Sequence, residues 1–240
     1  MDRPRQADKL HAGSTVQGER MRLASTLMLC ATMALAAACV APPWQPEPQP
    51  APEPKPAAKP PPPTAAQVNE ALTRLNNAFQ DAYERILDER GSRTDAAARA
   101  TAFDALAAAL RRLGMIVESR DPDAGSLTVA APAPRPLSAD EWRRVVQIDG
   151  PMMAGILCPA LGEYCRQIRF EPEDYVIVIN ATVLAAVNNA SRISLTTRMR
   201  EIVPRPGVPR RDYPPPTGVR MALDKIWAEY ERESATRPKR

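Results

Sequence analysis

Two cysteines in the body of this 240-residue chain stand close enough to react with one another: Cys158 and Cys165, in CPALGEYC. In an oxidising compartment they would form a disulfide across a short loop, a local staple worth about 2 kcal/mol. Free thiols, or half of a zinc site, are the other uses of such a pair. Carboxylates cluster twice, as Glu171, Glu173 and Asp174 and as Asp121 and Asp123. Two facing acids are the equipment of a glycoside hydrolase, yet acids at turns and strand starts are ordinary, and no catalytic role is assigned to them. The single histidine, His11, lies near the N-terminus. Ser-His and Cys-His catalysis and histidine-ligated metals therefore have no histidine in the rest of the chain. No GxGxxG or Walker run occurs, so no cofactor and no metal is implied. Arg192, Arg198 and Arg200 lie at even spacings, which in a strand puts all three on one face. Such a cationic ladder suits an acidic partner, a lipid headgroup or peptidoglycan carboxylates, and it equally suits a solvated sheet face paired with local acids.

The elements that must position these residues begin after residue 63. Val68, Leu72, Leu75, Phe79, Ala82, Ile86 and Leu87 recur at helical spacing, which predicts a helix capped by Thr64 and ended by Gly91. A second helix is expected from about Thr94 or Thr101 to Leu113, with Gly114 as its stop. A hairpin follows, Met115–Ser119 and Ser126–Ala131, around the turn RDPDAGS. Ser138 and Glu141 fit a capping box, predicting a short helix through Gln147 that Asp149-Gly150-Pro151 ends. MMAGIL, residues 152–157, reads as a buried strand or a docking surface, and a short strand is expected at Gln167–Phe170. The clearest β signal is Tyr175–Val187 and Ser191–Val203 around Asn188-Asn189. A proline-rich loop, Pro204–Pro216, precedes a last helix capped by Thr217.

The N-terminal quarter is of another kind. Leu23–Leu35 is an apolar run of signal-peptide length, and Met21-Arg22 makes a conventional start, leaving residues 1–20 as a stretch that need not be translated. Leu35-Ala36-Ala37-Ala38-Cys39 resembles the lipobox of bacterial lipoproteins. That resemblance implies cleavage after residue 38, lipidation of Cys39 with a palmitate-type acyl group, and, with Val40 rather than aspartate next, the outer membrane facing the periplasm. An uncleaved inner-membrane signal anchor is the alternative. From Pro42 to Pro63 there are twelve prolines, which exclude helix and sheet and predict an extended linker of up to about 70 Å. Removing residues 1–38 takes away five of 32 basic and three of 28 acidic residues. The remainder is nearly neutral, so a nucleic-acid partner has no electrostatic support.

The expected organisation is a signal peptide at 1–38, a lipidated, proline-rich and disordered linker at 39–63, one periplasmic domain at 64–233 and a flexible tail at 234–240. The order of helices and strands predicts an α+β fold, a two-layer antiparallel sheet with helices packed on one face. AFDALAAALRRLGMIVESRDPDAGSLTVAA, residues 102–131, resembles the helix-hairpin unit of the helix-grip domains in the C-subunit lipoprotein of the outer-membrane β-barrel assembly machinery. The resemblance implies a non-enzymatic envelope lipoprotein, tied to the membrane by its lipid and binding an envelope protein or peptidoglycan, as an assembly or secretion-system accessory. The expected contact surfaces are the groove between sheet and helices and the Arg192, Arg198, Arg200 face. A peptidoglycan-acting enzyme or regulator and a carrier of apolar ligands are the alternatives.

Overall fold

The computed structural model describes residues 60–204 and 206–236; Cys39, the stretch expected to be a signal peptide and most of the proline-rich run lie outside the described residues. Helix α1 spans Ala65–Arg90. Its start is a reciprocal box: the Gln67 amide N–H donates to Thr64 Oγ1 at 3.3 Å, and Gln67 Oε1 accepts from the Thr64 amide at 2.8 Å. Its buried stripe is Ala71, Leu72, Leu75, Phe79, Tyr83 and Ile86, the helical period read from the sequence.

Strand β1, Ser92–Asp95, follows directly and occupies residues where the second helix was expected to begin. Polar SRTD carries no apolar alternation, so nothing in it announces a strand. It forms because β5 offers an open edge, where it pairs antiparallel with Ser191–Ser194. Helix α2 then runs Arg99–Arg112, and Gly114 at φ +78° reverses the chain. Strands β2, Ile116–Asp121, and β3, Ser126–Pro132, form the expected hairpin, with a bulge between Val117 and Ser119. Gly125 at φ +69° is required in its turn: a Cβ there would stand 2.1 Å from the Val183 carbonyl oxygen.

Helix α3 spans Ala139–Leu161, 23 residues, and passes straight through Gly150-Pro151, where the sequence predicts an end. The expectations of a helix ending at Gln147 and of a strand at 152–157 are both corrected. Pro151 deletes only the bond to the Gln147 carbonyl, and its flanking turns bury Val145, Asp149, Met153 and Leu157 on one face. Packing outweighs the single lost bond. Gln167–Phe170 is not a strand; two short 3-10 turns, Gly162–Gln167 and Pro172–Asp174, lead into β4.

β4, Tyr175–Ala185, and β5, Ser191–Glu201, are the longest strands and pair antiparallel along their whole length. Asn188 and Asn189 turn the chain at φ 58° and 57°, the left-handed conformation asparagine tolerates. Helix α4, Pro216–Ala235, closes the fold. Thr217 is not its cap: Pro215 holds that position with no side-chain bond, and Thr217 lies inside the first turn.

The sheet order is β1-β5-β4-β3-β2, all antiparallel, with the four helices on one side, an α+β fold. Leu127, Val129 and Ala131 of β3, Ile177, Ile179, Ala181 and Val183 of β4, and Ile193, Leu195 and Met199 of β5 face the helices. Beyond β1 the rim of β5 is satisfied without a strand. The amides of Leu195, Thr197 and Met199 donate to the Gly91 carbonyl at 2.7 Å, Tyr83 Oη at 3.2 Å and the Asp212 carbonyl at 2.9 Å. That arrangement leaves no free edge there for another chain to pair with.

Candidate binding surface on the third helix

α3 is fixed at its start and again at its middle by side-chain bonds. Ser138 Oγ accepts from the Glu141 amide at 3.2 Å, and Glu141 Oε2 accepts from the Ser138 amide and from Lys225 Nζ, each at 2.6 Å. Partial burial alone would raise the Glu141 carboxyl, but the bonds from Lys225 and Ser138 outweigh it and hold the group below its ordinary range. Further along, Asp149 is buried, and its two oxygens accept from the Thr217 amide at 3.0 Å and the Thr217 hydroxyl at 2.6 Å. One helix thereby caps the start of another. Burial pushes the Asp149 carboxyl up, against the pull of the Thr217 bonds and of Arg220.

So anchored, α3 turns Trp142, Val145, Met153, Leu157 and Leu161 to the core. Its other side is unusual for a surface helix. Between Arg144 and Glu163 the chain carries one charged residue, the buried Asp149. Ile148 is 59 % exposed and Val146 and Met152 are each 38 % exposed, and Pro151, Ala154, Gly155 and Pro159 are exposed with them. Only 28 % of the most apolar window of Ala139–Gln167 is buried, although that stretch is long and apolar enough to cross a membrane. A helix that is apolar all round belongs inside something.

Beside α3 lies an open groove of about 840 Å³, walled by Val146, Met153, Ala154 and Leu157 on one side and Ile168 and Phe170 on the other. Cys158 and Cys165 are joined as a disulfide and lie in its floor, holding the 162–173 segment to the end of α3. Trp142 Nε1 donates to the Phe170 carbonyl at 3.1 Å and fixes the far wall. The rim carries both signs, Arg143, Arg166 and Arg169 with Glu171 and Glu173. Glu171 meets Arg169 at 3.9 Å, and both acids are exposed. Among the described residues no group of three or more His, Cys, Asp or Glu could hold a metal.

The two expected surfaces fare differently. Arg192, Arg198 and Arg200 do share one face of β5, but they do not form a free ladder. Arg192 Nε donates to Ser92 Oγ at 3.3 Å, and Arg200 faces Glu118 at 3.5 Å. Arg198 wraps the strand edge, its guanidinium 4.9 Å from the Tyr83 ring centre and 4.4 Å from that of Tyr213. Burial raises the Tyr83 phenol despite the Arg198 charge beside it. The groove expected between sheet and helices is filled: the pocket at that interface, bordered by Ile177, Thr197, Val219 and Ala222, holds about 10 Å³. An acyl chain has no room there.

The α3 surface was signalled in the sequence by one feature, the charge-free run GPMMAGILCPALG at 150–162. Burial explains such a run as well as exposure does, so the signal alone was ambiguous. No family model, no curated protein and no solved structure matches this chain.

Proposed function

We propose that this protein is a non-enzymatic lipoprotein of the bacterial envelope, held to the outer membrane through Cys39, whose domain binds another envelope component through the outer face of α3 and its groove. One observation carries the binding reading: a 23-residue helix with no exposed charge between Arg144 and Glu163, standing largely uncovered beside an apolar groove. Large exposed apolar patches with polar rims mark interaction sites. The disulfide supports the extracytoplasmic placement, since such bonds persist in oxidising compartments. The proline-rich run gives the domain reach from the membrane.

A photo-crosslinking residue at Met152, used in intact envelopes, tests the binding reading. A discrete adduct is expected from Met152 and not from Arg192; an adduct only at Arg192 would overturn the choice of surface. The anchor is tested by labelling with a palmitate analogue, where label surviving Cys39→Ser would refute acylation at that residue. A second reading, action on peptidoglycan, draws on Glu171 and Glu173 lining the groove. Murein hydrolysis that disappears in Glu171→Gln/Glu173→Gln would replace the first reading with this one.

A further inference from the structure

Resting on the reading of α3 as a docking surface, we propose that the groove beside it receives an amphipathic helix of the envelope partner, lying parallel to α3 with its first turn at Glu173 and its last at Arg166. Trp142, bonded to the Phe170 carbonyl, marks one end of the groove, and the Cys158–Cys165 disulfide marks the other. Between Trp142 and Cys158 α3 rises about 24 Å, or about four turns. Along it Val146, Gly150, Ala154 and Cys158 follow one another at four-residue steps and line the groove together. A Cβ on Gly150 would find nothing within 4 Å, so this ridge is low and open to the approach of another backbone.

The walls select a helix over other apolar occupants. An extended peptide bonds through its backbone to a strand edge, and the residues lining this groove belong to α3 and to the 165–173 segment, not to a strand. In the irregular part of that segment the carbonyls are taken: that of Arg169 accepts from Arg211 Nη1 at 3.1 Å, that of Phe170 from Trp142, and that of Glu171 from the Asp174 amide at 3.2 Å. A polyproline segment docks on exposed aromatic rings, whereas Trp142 and Phe170 are both buried. A helix satisfies its own backbone and needs only an apolar trough. Charge then fixes its direction and sets it apart from a lipid. Of the five charged residues lining the groove, Arg143 pairs with Asp140 and Arg169 with Glu171. Glu173, at the Trp142 end, and Arg166, at the disulfide end, meet no partner among the described residues. The N-terminus of a helix carries partial positive charge and its C-terminus partial negative charge. One helix therefore serves both groups, while an acyl chain with an anionic headgroup serves Arg166 alone.

The test places a photo-crosslinking residue at Val146 or at Ala154, both exposed in the groove, in the full chain in intact envelopes, with adducts mapped by mass spectrometry. The two positions lie about 12 Å apart along α3. Both are expected to capture the same protein, at residues about eight apart in a segment with apolar residues at helical spacing, the Ala154 contact being the more C-terminal. Ala154→Arg should lower the Val146 adduct at least about tenfold, the loss of a central contact, with an unchanged thermal midpoint because Ala154 is exposed. Arg166→Glu and Glu173→Lys should each lower it about two- to fivefold, the scale of exposed ion pairs. Contacts about four residues apart, as in an extended chain, contacts in the reverse order, or an adduct with lipid or with a second copy of this chain overturn the proposal. An adduct from Met152 alone also overturns it and leaves the outer face of α3 standing as the docking surface; no adduct from any of the three positions removes both.

Discussion

Asp149 joins the candidate surface to the rest of the fold, and its replacement has a calculable cost. It is 6 % exposed and accepts both the amide and the hydroxyl of Thr217. α4 begins with Pro215 and Pro216 and has no cap of its own, so Asp149→Ala removes the side-chain acceptor that serves its first turn. Losing the cap costs about 1 kcal/mol, and the bond from a hydroxyl to a buried carboxylate about 1.5–2 kcal/mol. Relief of carboxylate desolvation returns about 0.5–1 kcal/mol. The expected loss is about 2 kcal/mol, or about 4–8 °C in Tm for a domain of this size. Asp149→Asn keeps one acceptor and should lose about half as much. The pH dependence provides a second readout. The folded carboxyl lies above its ordinary value, so the native state binds the proton more readily than the unfolded chain. Its contribution is fully present below the unfolded value and declines as pH rises through the folded one. Urea unfolding at a series of pH values should therefore show the advantage of wild type over Asp149→Asn growing as pH falls from neutrality. Equal stability of wild type and Asp149→Ala, or an advantage that shrinks in acid, would refute the assignment.

Glu141 should behave with the opposite sign. Its carboxyl lies below the ordinary range, so the deficit of Glu141→Gln, about 1 kcal/mol above that range, should vanish as pH falls through the folded value in the same titration. Gly125→Ala should destabilise by more than about 2 kcal/mol by chemical denaturation, since it combines a left-handed alanine with a Cβ 2.1 Å from the Val183 oxygen. Thr197→Val should stabilise by about 1 kcal/mol. The Thr197 hydroxyl is buried in the core without a partner, and valine fills the same space without an unmet donor.

The sequence by itself determined much of the local structure. Thr64 with Gln67 and Ser138 with Glu141 fix where two helices start, because a capping box is a contact between residues three apart. Gly114, Gly125 and Asn188-Asn189 fix where the chain reverses, because positive φ restricts residue type. Alternation along 175–201 fixed the central hairpin and the inward side of β5. It placed Arg192, Arg198 and Arg200 on one face; the short spacing of Cys158 and Cys165 allowed a disulfide, free thiols or half a metal site, and the structure shows the disulfide.

Tertiary structure decided the rest, wherever the outcome turned on partners distant in the chain. SRTD is a strand only because β5, about a hundred residues later, presents an unpaired edge. α3 continues through Gly150-Pro151 because Asp149 and Met153 on either side are buried, Asp149 against Thr217 of α4. A break signal acts on one hydrogen bond, while burial acts on a whole face. The same holds for the candidate surface. An uncharged run is equally compatible with a core and with an interface, and periodicity cannot tell them apart when both sides of the helix are apolar. The packing of one side of α3 against the domain, with the other side exposed among the described residues, turned Val146, Ile148, Met152 and Gly155 from candidate core into the surface on which the function is proposed to rest.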